Sequence, residues 1–209
     1  MPPPQASVLL DPIVRHNPIA VQILGVCSSL AVTTQVSTAL VMGLALTVTL
    51  CLSNVSISLI RRHLPRSIRL IVEITIIASL VIVIDQALQA YAYDMSKRLS
   101  VFVGLIVTNC IVLGRAEAFA SRSAPWPSLL DGLGNGIGYG LVLAIVAVVR
   151  EVLGNGTLLG ATVLRRAADG GWYVPVDFLH KPASGFFLLA LLVWGLRTRR
   201  KDPPEDPAS

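Results

Sequence analysis

Between Arg15 and Arg61 the chain runs for 45 residues without a single Asp, Glu, Lys or Arg. A helix that crosses a bilayer needs ~20 mostly apolar residues. The run is therefore too long for one span and the right length for two. The polar stretch Thr33-Thr34-Gln35-Val36-Ser37-Thr38 is the natural turn between them. Residues 99–114, 132–149 and 182–196 are likewise uncharged. Charged residues make up 14% of the chain and hydrophobic ones 54%, whereas a soluble domain carries about 25% charged residues. This is the composition of an integral membrane protein and not of a cytosolic enzyme. Three cysteines are too few for a secreted disulfide scaffold. The net charge of +5 would suit nucleic acid, but the basic residues flank apolar runs and do not form one patch, so no nucleic-acid partner is expected.

The pattern predicts an all-α membrane protein with six transmembrane helices, near 13–33, 38–60, 68–90, 99–115, 131–150 and 182–197. Residues 1–209 form one membrane domain, with a disordered tail over 201–209. The opening Met1-Pro2-Pro3-Pro4 lacks the basic and small-residue features of a signal peptide, so the first span is expected in the mature protein. With both termini cytoplasmic, eleven of the seventeen Lys and Arg fall on the cytoplasmic side, which is the favoured orientation. The segment 154–181 is the one sizeable extramembrane loop. Its Trp172 and Tyr173 suit an anchor at the lipid interface.

The two halves of the chain carry a faint repeat. Leu24-Gly25-Val26-Cys27 matches Val107-Thr108-Asn109-Cys110, at an offset of 83 residues, and each Cys is followed four residues later by a small residue, Ala31 or Gly114. Repeat 1 covers about 13–90 and repeat 2 about 99–197. Three spans is an odd number, so the second repeat enters the membrane from the opposite side, giving two inverted three-helix repeats. In such proteins paired helices are interrupted near the bilayer midplane. The expected interruptions, in helices 1 and 4, fall at Gly25–Ser29 and Thr108–Cys110. Ser28, Ser29, Thr108 and Asn109 suit a broken helix that lines a protected cavity.

A lone Cys in an apolar helix is usually a small hydrophobe, and Cys51, without a counterpart in the other half, is read that way. Cys27 and Cys110 differ because symmetry matches them. Two converging thiolates make half of a metal site, since iron–sulfur clusters typically take four Cys and tetrahedral zinc takes four N or S ligands. His16, His63 and His180 lie away from the expected breaks, so the missing two ligands would come from another chain. A disulfide between Cys27 and Cys110 stays open at this level.

Residues Asn17–Thr34, Thr108–Phe119, Ile76–Val83, Asp131-Gly132 and Gly170–Tyr173 together resemble the D-type family of membrane subunits of sodium-translocating NADH:quinone oxidoreductases. The resemblance covers roughly 11–198. Membrane subunits of the Rnf electron-transport complex share the Asn-Cys and Gly-Arg-Ala-Glu-Ala-Phe patterns, while the short Thr157–Asp177 connection looks more like the sodium pump. The resemblance implies a six-subunit complex in the bacterial inner membrane that oxidises NADH, reduces ubiquinone and exports sodium. It implies a homologous E-type partner of opposite orientation. It also implies a [2Fe-2S] cluster shared between two Cys of that partner and the Cys matching Cys27 and Cys110. NADH and flavins would belong to other subunits. This chain has no strand–Gly-x-Gly-x-x-Gly–helix unit. The alternatives are an Rnf-type subunit, an inverted-repeat ion transporter, and a structural subunit without a redox role.

Gly132, Gly136 and Gly140 recur every four residues and predict a small-residue ridge on which another helix packs closely. Carboxylates at membrane depth often mark ion pathways. Asp85 and Asp131 are therefore candidates for a cation path, with Glu73 behind them. Asp131 is expected at the mouth of the fifth helix, and Glu117 is expected to form a structural pair with Arg115. Arg61, Arg62, Arg66 and Arg69 read as topology and anionic-lipid anchors.

Overall fold

Burying a backbone in hydrocarbon requires every N–H and C=O to be satisfied within the chain, and long apolar helices do this best. In a computed structural model the described residues, 17–19, 21–63, 65, 68–91, 104–158, 161–162, 179 and 181–200, are almost entirely helical. The helices are α1 (Val26–Val32), α2 (Val36–Ile60), α3 (Arg69–Tyr91), α4 (Cys110–Arg115), α5 (Pro125–Asn155) and α6 (Pro182–Arg200). A π-helical turn, Ala116–Ala120, continues α4. Helix α2, the Arg69–Ala87 part of α3 and the Pro125–Gly154 part of α5 are long and apolar enough to cross a membrane, and Ala183–Leu196 of α6 is a shorter apolar helix. The protein is thus a multi-pass membrane protein.

The bundle is built on the α2–α5 pair. Each of the three ridge glycines of α5 faces a residue of α2 at close range. A Cβ on Gly136 would lie 2.6 Å from Thr47 Oγ1, and one on Gly132 would lie 3.1 Å from the Cys51 Cα. One on Gly43 would lie 3.2 Å from the Gly140 Cα. The ridge expected from the spacing is therefore a packing surface, and α2 is the helix that uses it. Met42, Leu46 and Leu50 of α2 and Tyr139, Leu143 and Val146 of α5 are buried, with Ile77 and Val81 of α3 and Ile111 and Val112 of α4 in the same core. On the other side of α2, Leu40, Leu44, Val48 and Leu52 are exposed, and on α5 so are Ile137, Leu141 and Ile145. These stripes of four-residue spacing are the faces that lipid or neighbouring apolar helices cover.

The helix limits differ from the sequence expectation in several places. The first segment, expected as a helix over 13–33, is a series of turns over its described part up to Gly25, and only α1 is helical. The fifth begins at Pro125 and not near 131, because Pro fits the first helical turn, where its missing N–H costs nothing. Asp131 therefore sits inside α5 and not at its mouth. The fold also has a two-residue antiparallel pair, β1 (Thr157–Leu158) and β2 (Ala161–Thr162), beyond the Gly156 cap of α5. The expected tail and most of the 154–181 loop, with Trp172 and Tyr173, lie outside the described residues.

Two charged side chains at the end of α5 hold the α1–α2 turn. The buried Arg150 donates from Nη1 to Leu30 O (3.1 Å) and Thr33 Oγ1 (2.8 Å), which ties down the end of α1. Its other nitrogens reach Leu179 O and Lys181 O, both at 3.2 Å, at the approach to α6. Glu151 Oε2 accepts from the Val36 amide.

Candidate functional site: two cysteines at facing helix starts

The chain enters through a turn anchored by Asn17, whose Nδ2 donates to Gly138 O of α5 at 3.0 Å and whose Oδ1 accepts from the Ile19 amide at 3.1 Å. The turn runs to Gly25. Ile23 takes φ 56° and Gly25 takes φ 75°, the left-handed region. A side chain on Gly25 would also collide: its Cβ would lie 2.6 Å from Ile111 Cδ1 and 3.0 Å from Tyr139 Cε2. Glycine is needed there on both counts. Helix α1 starts immediately after, with Cys27 in its first turn.

The second half repeats the arrangement with different means. Residues 104–107 are helical, Thr108 and Asn109 leave the helix, and α4 restarts at Cys110. Asn109 caps the restart, its Oδ1 accepting from the Ile111 amide at 3.0 Å. Asn at this position satisfies a backbone donor that would otherwise lack a partner.

The two starts face each other. Gly25, Cys27 and Ser28 from the first and Thr108, Asn109 and Cys110 from the second line one cavity of about 50 Å³, with Leu105 on its wall. The Gly25 amide donates to Cys110 Sγ at 3.0 Å. Asn109 Nδ2 donates to Ser28 Oγ at 2.9 Å, and the Tyr139 hydroxyl lies 2.7 Å from the same oxygen. Ser28, Asn109 and Tyr139 are buried, whereas Cys27 is exposed at the surface of the single chain. All three cysteines are free thiols, so the disulfide left open by the sequence is not formed. Cys51 is elsewhere, against Gly132 in the α2–α5 seam. Among the described residues no group of three or more His, Cys, Asp or Glu gathers as a metal site.

The candidate carboxylates do not line this cavity. Asp85, half-buried on α3, accepts from Gln89 Nε2 of its own helix at 2.7 Å. Asp131 is buried and is gripped by Arg115, whose Nε donates to Oδ2 at 2.9 Å and whose Nη2 meets Oδ1. Asn135 Nδ2 also donates to Asp131 Oδ1 at 3.0 Å. The expected Arg115–Glu117 pair is not formed. Arg115 is spent on Asp131 and lies with its guanidinium carbon 5.3 Å from the centre of the Phe119 ring, while Glu117 accepts from Arg69 Nε at 2.9 Å. Arg69 thus serves an internal ion pair. Its Nε also lies 3.6 Å from the buried Glu73.

Sequence reasoning named the two cysteines but missed Tyr139 and the Arg150–Glu151 clamp. Tyr139 stands in the glycine-rich run of α5, where the spacing of glycines masked it. Its one available signal was a hydroxyl placed mid-span, which calls for a partner.

The family model described as "Rnf-Nqr subunit, membrane protein" matches residues 5–193. The chain is 60% identical over 199 residues to the D-type subunit of the Na(+)-translocating NADH-quinone reductase of Shewanella piezotolerans, covering 95% of each chain. It is also 60% identical to the subunit of the same name from Aeromonas hydrophila, covering 95% of this chain and 94% of that one.

Proposed function

Because the chain belongs to the Rnf-Nqr family of membrane subunits, we propose that it is the D-type membrane subunit of a sodium-translocating NADH-quinone reductase. It has no complete active site of its own and works as part of that translocase. The identity to relatives named as sodium-pump subunits favours this assembly over an Rnf-type one.

Within the complex, Cys27 and Cys110 are two of the four ligands of a [2Fe-2S] cluster. The other two come from a homologous E-type subunit of opposite orientation. The observation that carries this reading is the shared cavity wall, on which both thiols stand at the start of a helix, Cys27 after a turn and Cys110 after a break. The donor set fits half of such a site. Two free thiols are present, one of them accessible from outside the chain, and no further ligand type joins them among the described residues. Bound there, the cluster supplies a one-electron carrier within ~30 Å of hydrocarbon. The chain's own part is to hold the sulfurs. Gly25 gives the Cys110 sulfur a backbone donor, Asn109 fixes the start of α4, and the packed core behind Ser28 and Tyr139 keeps water from the inner side.

The two facing helix starts, each carrying a Cys, support two inverted three-helix repeats, 13–90 and 99–197, in a single membrane domain. The bias of Lys and Arg supports cytoplasmic termini in a bacterial inner membrane. NADH and the flavins belong to other subunits of a six-subunit complex, and ubiquinone is the acceptor. For sodium, Asp85 and Asp131 are the proposed path residues, Asp85 being the less tightly held.

The test is made on the purified complex. Cys27→Ala and Cys110→Ala should each remove one iron–sulfur signal from the electron paramagnetic resonance spectrum. Each should also abolish quinone reduction by NADH, while NADH oxidation by an artificial acceptor at the flavin subunit survives. Wild-type quinone reduction and sodium export in the double variant would return the chain to a transporter or structural role.

A further inference from the structure

The hydroxyl of Ser28 has one proton to donate and two lone pairs, and three polar groups stand within hydrogen-bond distance of it. It donates to Gly25 O at 3.0 Å. It accepts from Asn109 Nδ2 at 2.9 Å, and the Asn109 amide cannot be turned round because its oxygen already receives the Ile111 amide. The Tyr139 hydroxyl lies 2.7 Å from the Ser28 oxygen, a contact in which either oxygen can donate. Ser28 follows Cys27 and Asn109 precedes Cys110, so this one oxygen joins the two thiol-bearing helix starts. Through Gly25 it also steadies the residue whose amide points at Cys110 Sγ. Ser28 is 3% exposed, Asn109 4% and Tyr139 0%, so the loss of any of these bonds leaves a buried polar group short of a partner.

From this geometry we infer that Ser28, backed by Tyr139, is a positioning residue that sets the reduction potential of the group held by Cys27 and Cys110. The inference rests on the ligand assignment of the preceding subsection. Hydrogen bonds to ligand sulfurs tune iron–sulfur potentials, and outer-shell partners orient the ligands. A donor on sulfur favours the more negative, reduced state, so it raises the potential. Ser28 touches neither sulfur. It acts by holding the Gly25 amide in line with one of them and by fixing the separation of the two helix starts.

The test is a redox titration, followed by electron paramagnetic resonance, of the assembled complex carrying Ser28→Ala, Ser28→Thr or Tyr139→Phe, with iron content measured in each. Ser28→Ala should keep its iron and titrate at a lower potential than wild type, with an altered signal shape. Ser28→Thr, which keeps the hydroxyl, should restore the potential. Tyr139→Phe, which removes only an oxygen from a packed ring, should shift the potential in the same direction by less, and it decides the matter if Ser28→Ala fails to assemble. An unmoved potential with full iron in Tyr139→Phe and in any Ser28→Ala complex that assembles overturns the inference while leaving the ligand assignment standing. If the wild-type complex has no signal that depends on Cys27 and Cys110, the ligand assignment falls and this inference falls with it.

Discussion

Glu151 Oε2 accepts a hydrogen bond from the Val36 amide at 2.6 Å, so a carboxylate at the end of α5 caps the start of α2, 115 positions earlier in the chain. The residue in the capping position itself, Gln35, makes no side-chain capping bond. A carboxylate at a helix N-terminus satisfies an orphan donor and meets the positive end of the helix dipole. Glu151→Ala should therefore lower the stability of the complex by about 1 kcal/mol, and Glu151→Gln, which keeps an acceptor, by less. Thermal unfolding in detergent reads the difference, and equal melting of wild type and Glu151→Ala would refute the cap.

Gly25→Ala should be far more damaging than an alanine elsewhere. The left-handed conformation alone costs a non-glycine residue about 1–2 kcal/mol, and the new methyl would sit 2.6 Å from Ile111 Cδ1. The expected result is a complex with reduced iron and reduced quinone reductase activity. Gly195→Ala is the control, because a Cβ there meets nothing within 4 Å. It should leave iron content and activity at wild-type levels.

Cys51→Ala should leave the iron content and turnover near wild type. The thiol faces Gly132 in the α2–α5 seam and is absent from the cavity that Cys27 and Cys110 share. Loss of iron in this variant would mean that the ligands are misassigned.

Arg115 and Asp131 should behave as a unit. Removing one partner of a buried ion pair strands the other and costs about 3–5 kcal/mol, whereas replacing both by apolar residues costs far less. Arg115→Met should thus destabilise the complex more than the double variant Arg115→Met/Asp131→Leu. Thermal unfolding of both variants checks the order. Asp85→Asn is the cleaner probe of the proposed sodium path, since Asp85 is bonded within its own helix to Gln89. It should raise the sodium concentration needed for half-maximal quinone reduction.

Lipid and water wrote the most legible part of the sequence. Charged residues avoid hydrocarbon, so the gaps between them mark α2 and α6 to within a few residues, while α3, which carries Glu73 and Asp85, is marked by its apolar run alone. The glycine ridge was readable because its period of four lies within one helix. The start of α5 was not, because Asp131 bounds the uncharged run 132–149 and so stood for the helix end, whereas the helix starts at Pro125. The Arg115 partner was misjudged for a geometric reason. Residues two apart on a helix do not face each other, and the π turn that begins at Ala116 redirects Glu117 towards Arg69. The two cysteines could be named from their matched positions. Tyr139 could not, since its meeting with Ser28 depends on how α5 crosses the turn before α1.

At Gly43 and Gly140 the two longest helices meet backbone to backbone, with no side chain between them to flex. One helix comes from each half of the chain. A backbone contact of this kind has no rotamer of its own to absorb a small displacement, so it resists tilting of α2 against α5. The α2–α5 pair is the stiff frame against which the short segments around Cys27 and Cys110 are held.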